Sequence, residues 1–223
     1  MHRPSDSWAI GGFYLANGKP LSKENIDIPV LLNLNNVQRA FSSAGVPPSV
    51  NMTVTEHSYL CFLIAGRLCG KFPGLVMALD ESGIGVAGFM AYVMAHDIQE
   101  SLVGDVPTPL KNDAFREFEE RVAMGVRDFL SLDTAKANYL YQPTKICDLI
   151  SSLYECKFAT DKGYDLSLIY SERYKTLLGL VSAGSALASE HGSCITYQAN
   201  METPIDLIID QQLLDEFIAE IVP

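Results

Sequence analysis

The chain has 223 residues, of which 48% are hydrophobic and 19% charged, with a formal net charge of −11. That composition suits one folded domain and excludes a disordered chain. The acidic balance excludes the basic stripe that a nucleic-acid polymer requires, but it leaves room for a small phosphorylated ligand held by a metal ion and a few local cations.

The opening residues, MHRPSDSW, lack the apolar run of a secretory signal. The longest uncharged apolar stretch, 83–95, is shorter than the ~20 residues a membrane span needs. Neither export nor a membrane partner is therefore expected. The cysteines, Cys61, Cys69, Cys147, Cys156 and Cys194, are odd in number and show no C-x-x-C spacing. Reduced, mostly buried thiols in a cytoplasmic protein are the expectation.

In chain order, WAIGGFYLANGKP at 8–20 reads as a short hairpin or loop. From Ile26, apolar residues recur at helical spacing (Ile28, Leu31, Leu32, Leu34, Val37) and predict a helix ending near Phe41, before Pro47 and Pro48 break the chain. Thr53-Val-Thr-Glu56 is a capping-box pattern that predicts a helix carrying His57 in its first turn. Asp80-Glu-Ser-Gly suggests a turn, and the apolar run 84–103 predicts one long buried helix closed by Gly104. Pro107 and Pro109 predict an extended loop, after which Asp113 can cap an amphipathic helix through Leu132. Further helices are expected over 144–158, behind Pro143, over 164–181 and over 210–221, with 193–198 as one strand candidate. The expected fold is mainly α: a helical bundle of one domain over 1–223, with a core at about 22–160, a short N-terminal hairpin and a C-terminal extension from 161.

His96, Asp97 and Glu100 emerge from the apolar run. On a continuous helix His96 and Glu100 would share a face. A carboxylate and an imidazole on a buried helix are costly unless they coordinate a metal or are otherwise paired. A helix end simply reaching solvent is the plain alternative.

The context sharpens this. His96 to Lys111 reads HDIQESLVGDVPTPLK, which resembles the motif of the HD-domain nucleotide hydrolases: HD, two residues, E, then GD-x-P-x-P-x-K. The resemblance is to bacterial 5′-deoxynucleotidases and to phage enzymes that hydrolyse deoxynucleoside triphosphates. Val54-Thr-Glu-His-Ser58 resembles the family's V-x-E-H-S, Lys145-Ile-Cys-Asp148 its K-x-x-D, and Arg39 with Phe41 its arginine followed by an aromatic. The N-terminal segment is similar to openings of the phage branch. The likeness covers about 8–158 and does not extend to the C-terminal part.

The resemblance implies an HD-domain fold and a cytoplasmic enzyme of bacterial or phage origin. His57, His96, Asp97 and Asp148 would hold a divalent metal, Glu100 and Asp105 would be the acid–base residues, and Arg39, Lys111 and Phe41 would meet the substrate. Two imidazoles with two carboxylates suit Mn²⁺, Co²⁺, Zn²⁺ or Fe²⁺, whereas Mg²⁺ fits better alongside a triphosphate. The implied substrate is a deoxynucleotide: a dNTP, dATP first, or alternatively a dNMP. A homo-oligomer follows from the family's habit, and a nucleotide-binding module without catalysis is the contrasting reading.

For the remaining candidates the plain reading prevails. His2 belongs to a terminus and His191 to a loop. Ser58 lacks a free histidine to activate it. Glu155, two turns beyond Asp148, is expected to make a structural pair. The longer 58–95 segment and the extension beyond 160 bear on access and assembly.

Overall fold

The computed structural model describes residues 25–107, 110–132, 139–182, 205, 209 and 211–222. The proposed N-terminal hairpin, the strand candidate at 193–198, His2, His191, Cys194 and Pro109 lie outside them. The protein is mainly helical. Among the described residues there is no strand, only an isolated antiparallel bridge between Gln38 and Thr53. No single described helix is long and apolar enough to cross a membrane.

The helix expected over 26–41 is broken. One α-helical turn, α1 (Ile28–Leu31), passes into 3-10 turns at Leu32–Asn36 and Ala40–Ala44. Asn33, Asn35 and Asn36 explain the break, because short amide side chains compete for local hydrogen bonds: Asn36 donates to Asn33, and Asn33 donates to the Ser101 carbonyl.

Helix α2 (Val54–Lys71) begins where the capping box predicts. Glu56 N–H donates to Thr53 Oγ1, and the Glu56 carboxylate accepts from Thr53 N–H. It continues through Gly66 and Gly70, then turns by 101° into α3 (Pro73–Glu81), an element that sequence pattern did not reveal. Gly83 and Gly85, both at positive φ, make the turn into α4 (Gly85–Met94).

The single helix expected over 84–103 is interrupted. After α4 the chain passes through a tight turn at 95–99 and re-enters a helix only at α5 (Glu100–Val103). The turn is held by three-residue steps: His96 N–H to the Val93 carbonyl, Ile98 N–H to that of Ala95, and Glu100 N–H to that of Asp97. The His96 ring donates to the same Val93 carbonyl, an acceptor that a continuous helix would reserve for the residue at 97. Gly104, at φ +77, closes α5.

Helix α6 (Asp113–Phe129) is capped by Asn112, one residue before the expected Asp113. It is followed by α7 (Tyr141–Asp161), with Pro143 in its first turn, then α8 (Ser167–Ser182) and α9 (Gln211–Ile221).

Helix α2 packs on α4 and α7, and α7 on α8. One apolar core joins Ile64 and Leu68 of α2, Phe89 of α4 and Ile150 and Leu153 of α7 to Leu177 of α8 and Phe217 of α9. The two C-terminal helices thus share the core of the N-terminal ones. Each fully buried large side chain contributes about 1.5–3 kcal/mol of transfer free energy. Replacing Thr53 by Ala should cost about 1 kcal/mol in chemical denaturation, since it removes the acceptor for an otherwise unpaired helix-end N–H. No loss would mean that Glu56 alone satisfies the end of α2.

Candidate metal centre

His57, His96, Asp97 and Asp148, expected to share one site, are brought together by the fold from three separated segments. His57 is in the first turns of α2, His96 and Asp97 are in the turn after α4, and Asp148 is in the second turn of α7. One ligand atom from each of the four lies within 4.8 Å of all the others. His57 Nε2 is 3.2 Å from Asp148 Oδ1 and 3.6 Å from Asp97 Oδ2, and His96 Nε2 is 3.1 Å from Asp97 Oδ2.

Both imidazoles are fixed from behind. His57 Nδ1 is 2.5 Å from Glu155 Oε1 and 3.0 Å from Ser151 Oγ, and His96 Nδ1 is 2.7 Å from the Val93 carbonyl. An ionised carboxylate and a carbonyl only accept, so each Nδ1 carries hydrogen and each Nε2 faces the cluster. His96 Nε2 is buried with no hydrogen bond. Its approach to Asp97 is close in distance but not in hydrogen-bonding geometry. An orphaned nitrogen facing two carboxylates and a second imidazole fits a cation of the Mn, Co, Zn or Fe type.

The charges are strongly coupled. Burial disfavours the ionised form of Asp97 and Asp148. Against it, the His96 charge holds Asp97, and Lys145 and His57 hold Asp148, well below the usual carboxylate range. Burial likewise disfavours the imidazolium of His96, yet Asp97 pushes its pKa up to about 9. His57 is raised as well: burial and Arg39 act against its charge, and Cys61, Glu155 and Asp148 outweigh them.

Arg39 ties the surroundings of the four donors together. Its guanidinium lies 3.3 Å from Glu155, 3.4 Å from Asp105 and 3.5 Å from Asp97. Asp105 also accepts the Ala40 N–H at 2.7 Å, and Asn51 donates to the Arg39 carbonyl at 2.6 Å. Asp105, expected as an acid–base residue, is here a clamp on the Arg39 loop. Glu155 makes the structural pair expected of it, and with two partners, the arginine and a metal-facing histidine. Its place on the α7 face of Asp148 was readable, whereas its partners were not.

Glu100 is 4% exposed, and its Oε2 has no hydrogen bond. Burial first, and then the charges of Asp97 and Asp105, push its pKa up to about 10. It does not share a regular helical face with His96, because the turn at 95–99 intervenes.

Two residues expected at the substrate do not line the pocket beside the four donors. Phe41 is buried in a cluster with Val46, Cys156, Ala159 and Leu166, and so it packs the core. Lys111 is bound to both oxygens of Glu119, at 2.7 and 2.9 Å, which satisfies its charge within the protein.

The cations that do line the site are others. A pocket of about 190 Å³ opens on the cluster, bounded by Tyr92, His96, Asp97, Arg127, Tyr141, Thr144, Lys145 and Asp148. Lys145 pairs with Asp148, and Arg127 reaches Glu120 at 3.4 Å. Lys145 was visible as part of K-x-x-D, three residues before Asp148. Arg127 carried no signal beyond the polar face of α6. A larger pocket of about 460 Å³, lined by Ile28, Leu31, Leu34, Met94, Ile98 and Leu132 with other groups, has no charged or imidazole side chain in its wall. It is unsuited to phosphate.

Compared with known proteins, the chain matches no protein-family model, no curated protein and no solved structure.

Metal affinity should rise with pH. With raised pKa values the two histidines are protonated at pH 7 in the metal-free chain, and an incoming ion must displace those protons. Calorimetry in buffers of different ionisation enthalpy should register proton release on ion binding, with affinity climbing as pH rises toward the His96 value of about 9. A flat profile would show neutral imidazoles. By the same linkage, the stabilisation His96 gives the metal-free chain is complete below its unfolded pKa of ~6.5 and is lost as pH rises through about 9. Glu155→Ala should destabilise the fold by about 3–5 kcal/mol, because it leaves Arg39 and His57 buried with a partner missing. Thermal or urea unfolding measures this.

Proposed function

We propose that this protein is a divalent-metal-dependent phosphohydrolase of deoxynucleotides, with a deoxynucleoside triphosphate, dATP first, as the leading substrate. The observation that carries the reading is the convergence of two imidazoles and two carboxylates beside a pocket walled by Lys145 and Arg127. The resemblance of HDIQESLVGDVPTPLK to the HD-domain hydrolases supports the same chemistry.

His57, His96, Asp97 and Asp148 hold the ion. When bound, it supplies polarisation of a phosphoryl oxygen and a lowered pKa for a coordinated water. Glu100 receives the proton of the attacking water. Its carboxyl is held neutral by burial first and by the charges of Asp97 and Asp105 second, and an ion held beside Asp97 would lessen that second contribution and so favour the base form. Lys145 and Arg127 orient the phosphate and offset charge that develops on it. Tyr92 and Tyr141 line the same pocket. Arg39 pairs with Asp97, Asp105 and Glu155, and so would act on the substrate through them.

A second reading, a 5′-deoxynucleotidase acting on dNMPs, is favoured by the size of the pocket. At about 190 Å³ it is smaller than the roughly 300–1,000 Å³ usual for ligand sites, and it suits a single phosphate better than three.

Chromatography of products after incubation with Mn²⁺ or Co²⁺ and each dNMP and dNTP separates the readings. Deoxyadenosine from dATP supports the triphosphohydrolase. Turnover of dNMPs alone supports the nucleotidase. If every nucleotide survives with metal bound, the protein is a binding module. Glu100→Gln should lower turnover by about 10²–10⁴-fold with metal affinity retained. Asp97→Ala should abolish both metal binding and turnover while far-ultraviolet circular dichroism stays unchanged. Turnover surviving in Asp97→Ala would overturn the site assignment.

A further inference from the structure

We infer that Cys61 is a sulfur ligand of this centre, so that His57 and His96 serve two donor sets, one with oxygen and one with sulfur. The inference rests on the proposed metal centre and extends it. Cys61 lies one turn after His57 on α2, a spacing that puts both side chains on one helix face. Its Sγ is 3.5 Å from His57 Nε2, the nitrogen that faces the cluster. Sγ, one nitrogen of His57 and one of His96 all lie within 4.8 Å of one another, the same span that defines the oxygen set. Cys61 is fully buried, and its thiol also reaches the Cys147 carbonyl at 3.8 Å, a loose contact that a metal–sulfur bond would outweigh. Asp97 and Asp148 line the pocket and Cys61 does not. The sulfur therefore meets the ion from the protein side and leaves the pocket side to water and substrate.

A buried thiol that only filled space would need no imidazole nitrogen in front of it. Facing two of them, it adds a soft donor that favours Zn²⁺, Co²⁺ or Cd²⁺ over Mn²⁺ and Mg²⁺. On coordination the S–H proton leaves to solvent, a sulfur–metal bond forms, and nothing is oxidised or reduced.

Cobalt(II) titration of the full chain, followed by absorption spectroscopy, tests the inference without any substrate. The wild-type protein should show visible ligand-field bands and a near-ultraviolet sulfur-to-cobalt charge-transfer band. Cys61→Ser should lose the charge-transfer band and keep the ligand-field bands, whereas Cys147→Ser keeps both. Cys61→Ser should also weaken Cd²⁺ more than Mn²⁺ in competition titrations. Ligand-field bands without charge transfer in the wild type overturn the sulfur ligand and leave the oxygen set standing. A charge-transfer band that survives Cys61→Ser overturns it too, since the sulfur must then come from elsewhere. Absence of any cobalt absorption overturns the metal centre itself. The wild-type spectrum tells sulfur from oxygen ligation even if the serine variant fails to fold, which circular dichroism monitors.

Discussion

Arg39 lies among three carboxylates, those of Asp97, Asp105 and Glu155, and the guanidinium, Asp105 and Glu155 are almost wholly withdrawn from water. Burying an isolated charge costs several kcal/mol even after relaxation, so none of these groups is tolerable alone. Together they tie the 37–41 segment, the turn at 95–99, the residues after α5 and the middle of α7 to one point. The backbone reinforces the knot: Arg39 N–H donates to the Met52 carbonyl, and Val54 N–H to that of Val37, which seats the start of α2 beside it. The position of His57 follows, because α2 can begin only there and Glu155 already occupies its Nδ1 side.

The break after α4 has the same origin. A regular helix would turn residues 96 and 97 about 100° apart and leave one of them facing the apolar core around Phe89 and Val93. The tight turn at 95–99 instead brings the His96 ring and the Asp97 carboxylate to 3.1 Å on the pocket side. In exchange, regular α-helical hydrogen bonds give way to three-residue steps, and the His96 ring takes up one of the carbonyls released. The geometry of two donors on consecutive residues thus outweighs the preference of an uninterrupted apolar run to remain helical.

What could be read from the chain follows from the range of the forces involved. Thr53 and Glu56 are three residues apart, so the capping box and the start of α2 were legible, whereas the cap of α6 was read at Asp113, one residue after Asn112, and α7 begins before Pro143 rather than behind it. The four clustered donors were legible because their chemistry is unusual against apolar surroundings and their order resembles a known motif. Local propensity misled at 32–36, where leucine spacing suggested a helix but Asn33 and Asn36 make other hydrogen bonds. Partners distant in sequence were not legible. Nothing near Lys111 in chain order announces Glu119 as its ligand across the start of α6. Nothing near Phe41 announces Cys156 and Ala159 on α7, and nothing near Arg127 places it opposite Lys145. Helix α3 was hidden because Gly66, Gly70 and Pro73 are residues that interrupt helices, whereas burial of Leu75, Ala78 and Leu79 decides the outcome.

Protonation gives the cluster its balance. In the metal-free chain two imidazolium ions face Asp97 and Asp148, so the four groups are close to neutral as a set. A divalent cation that displaces two protons restores the same balance. The interior therefore need not reorganise its charges when the ion enters, which suits a site whose supporting contacts are as constrained as Arg39 makes them. Glu100 is the group that feels the exchange most. It stands outside the four, has no hydrogen-bonded partner on Oε2, and owes its raised pKa first to burial and then to the charges of Asp97 and Asp105. Once the ion draws in the charge of Asp97, burial and Asp105 remain as the forces opposing its ionisation, with Arg39 and Lys111 favouring it. The Glu100 carboxyl is thus held neutral by burial first and by its acidic neighbours second, and a cation beside Asp97 would weaken only the second of these forces.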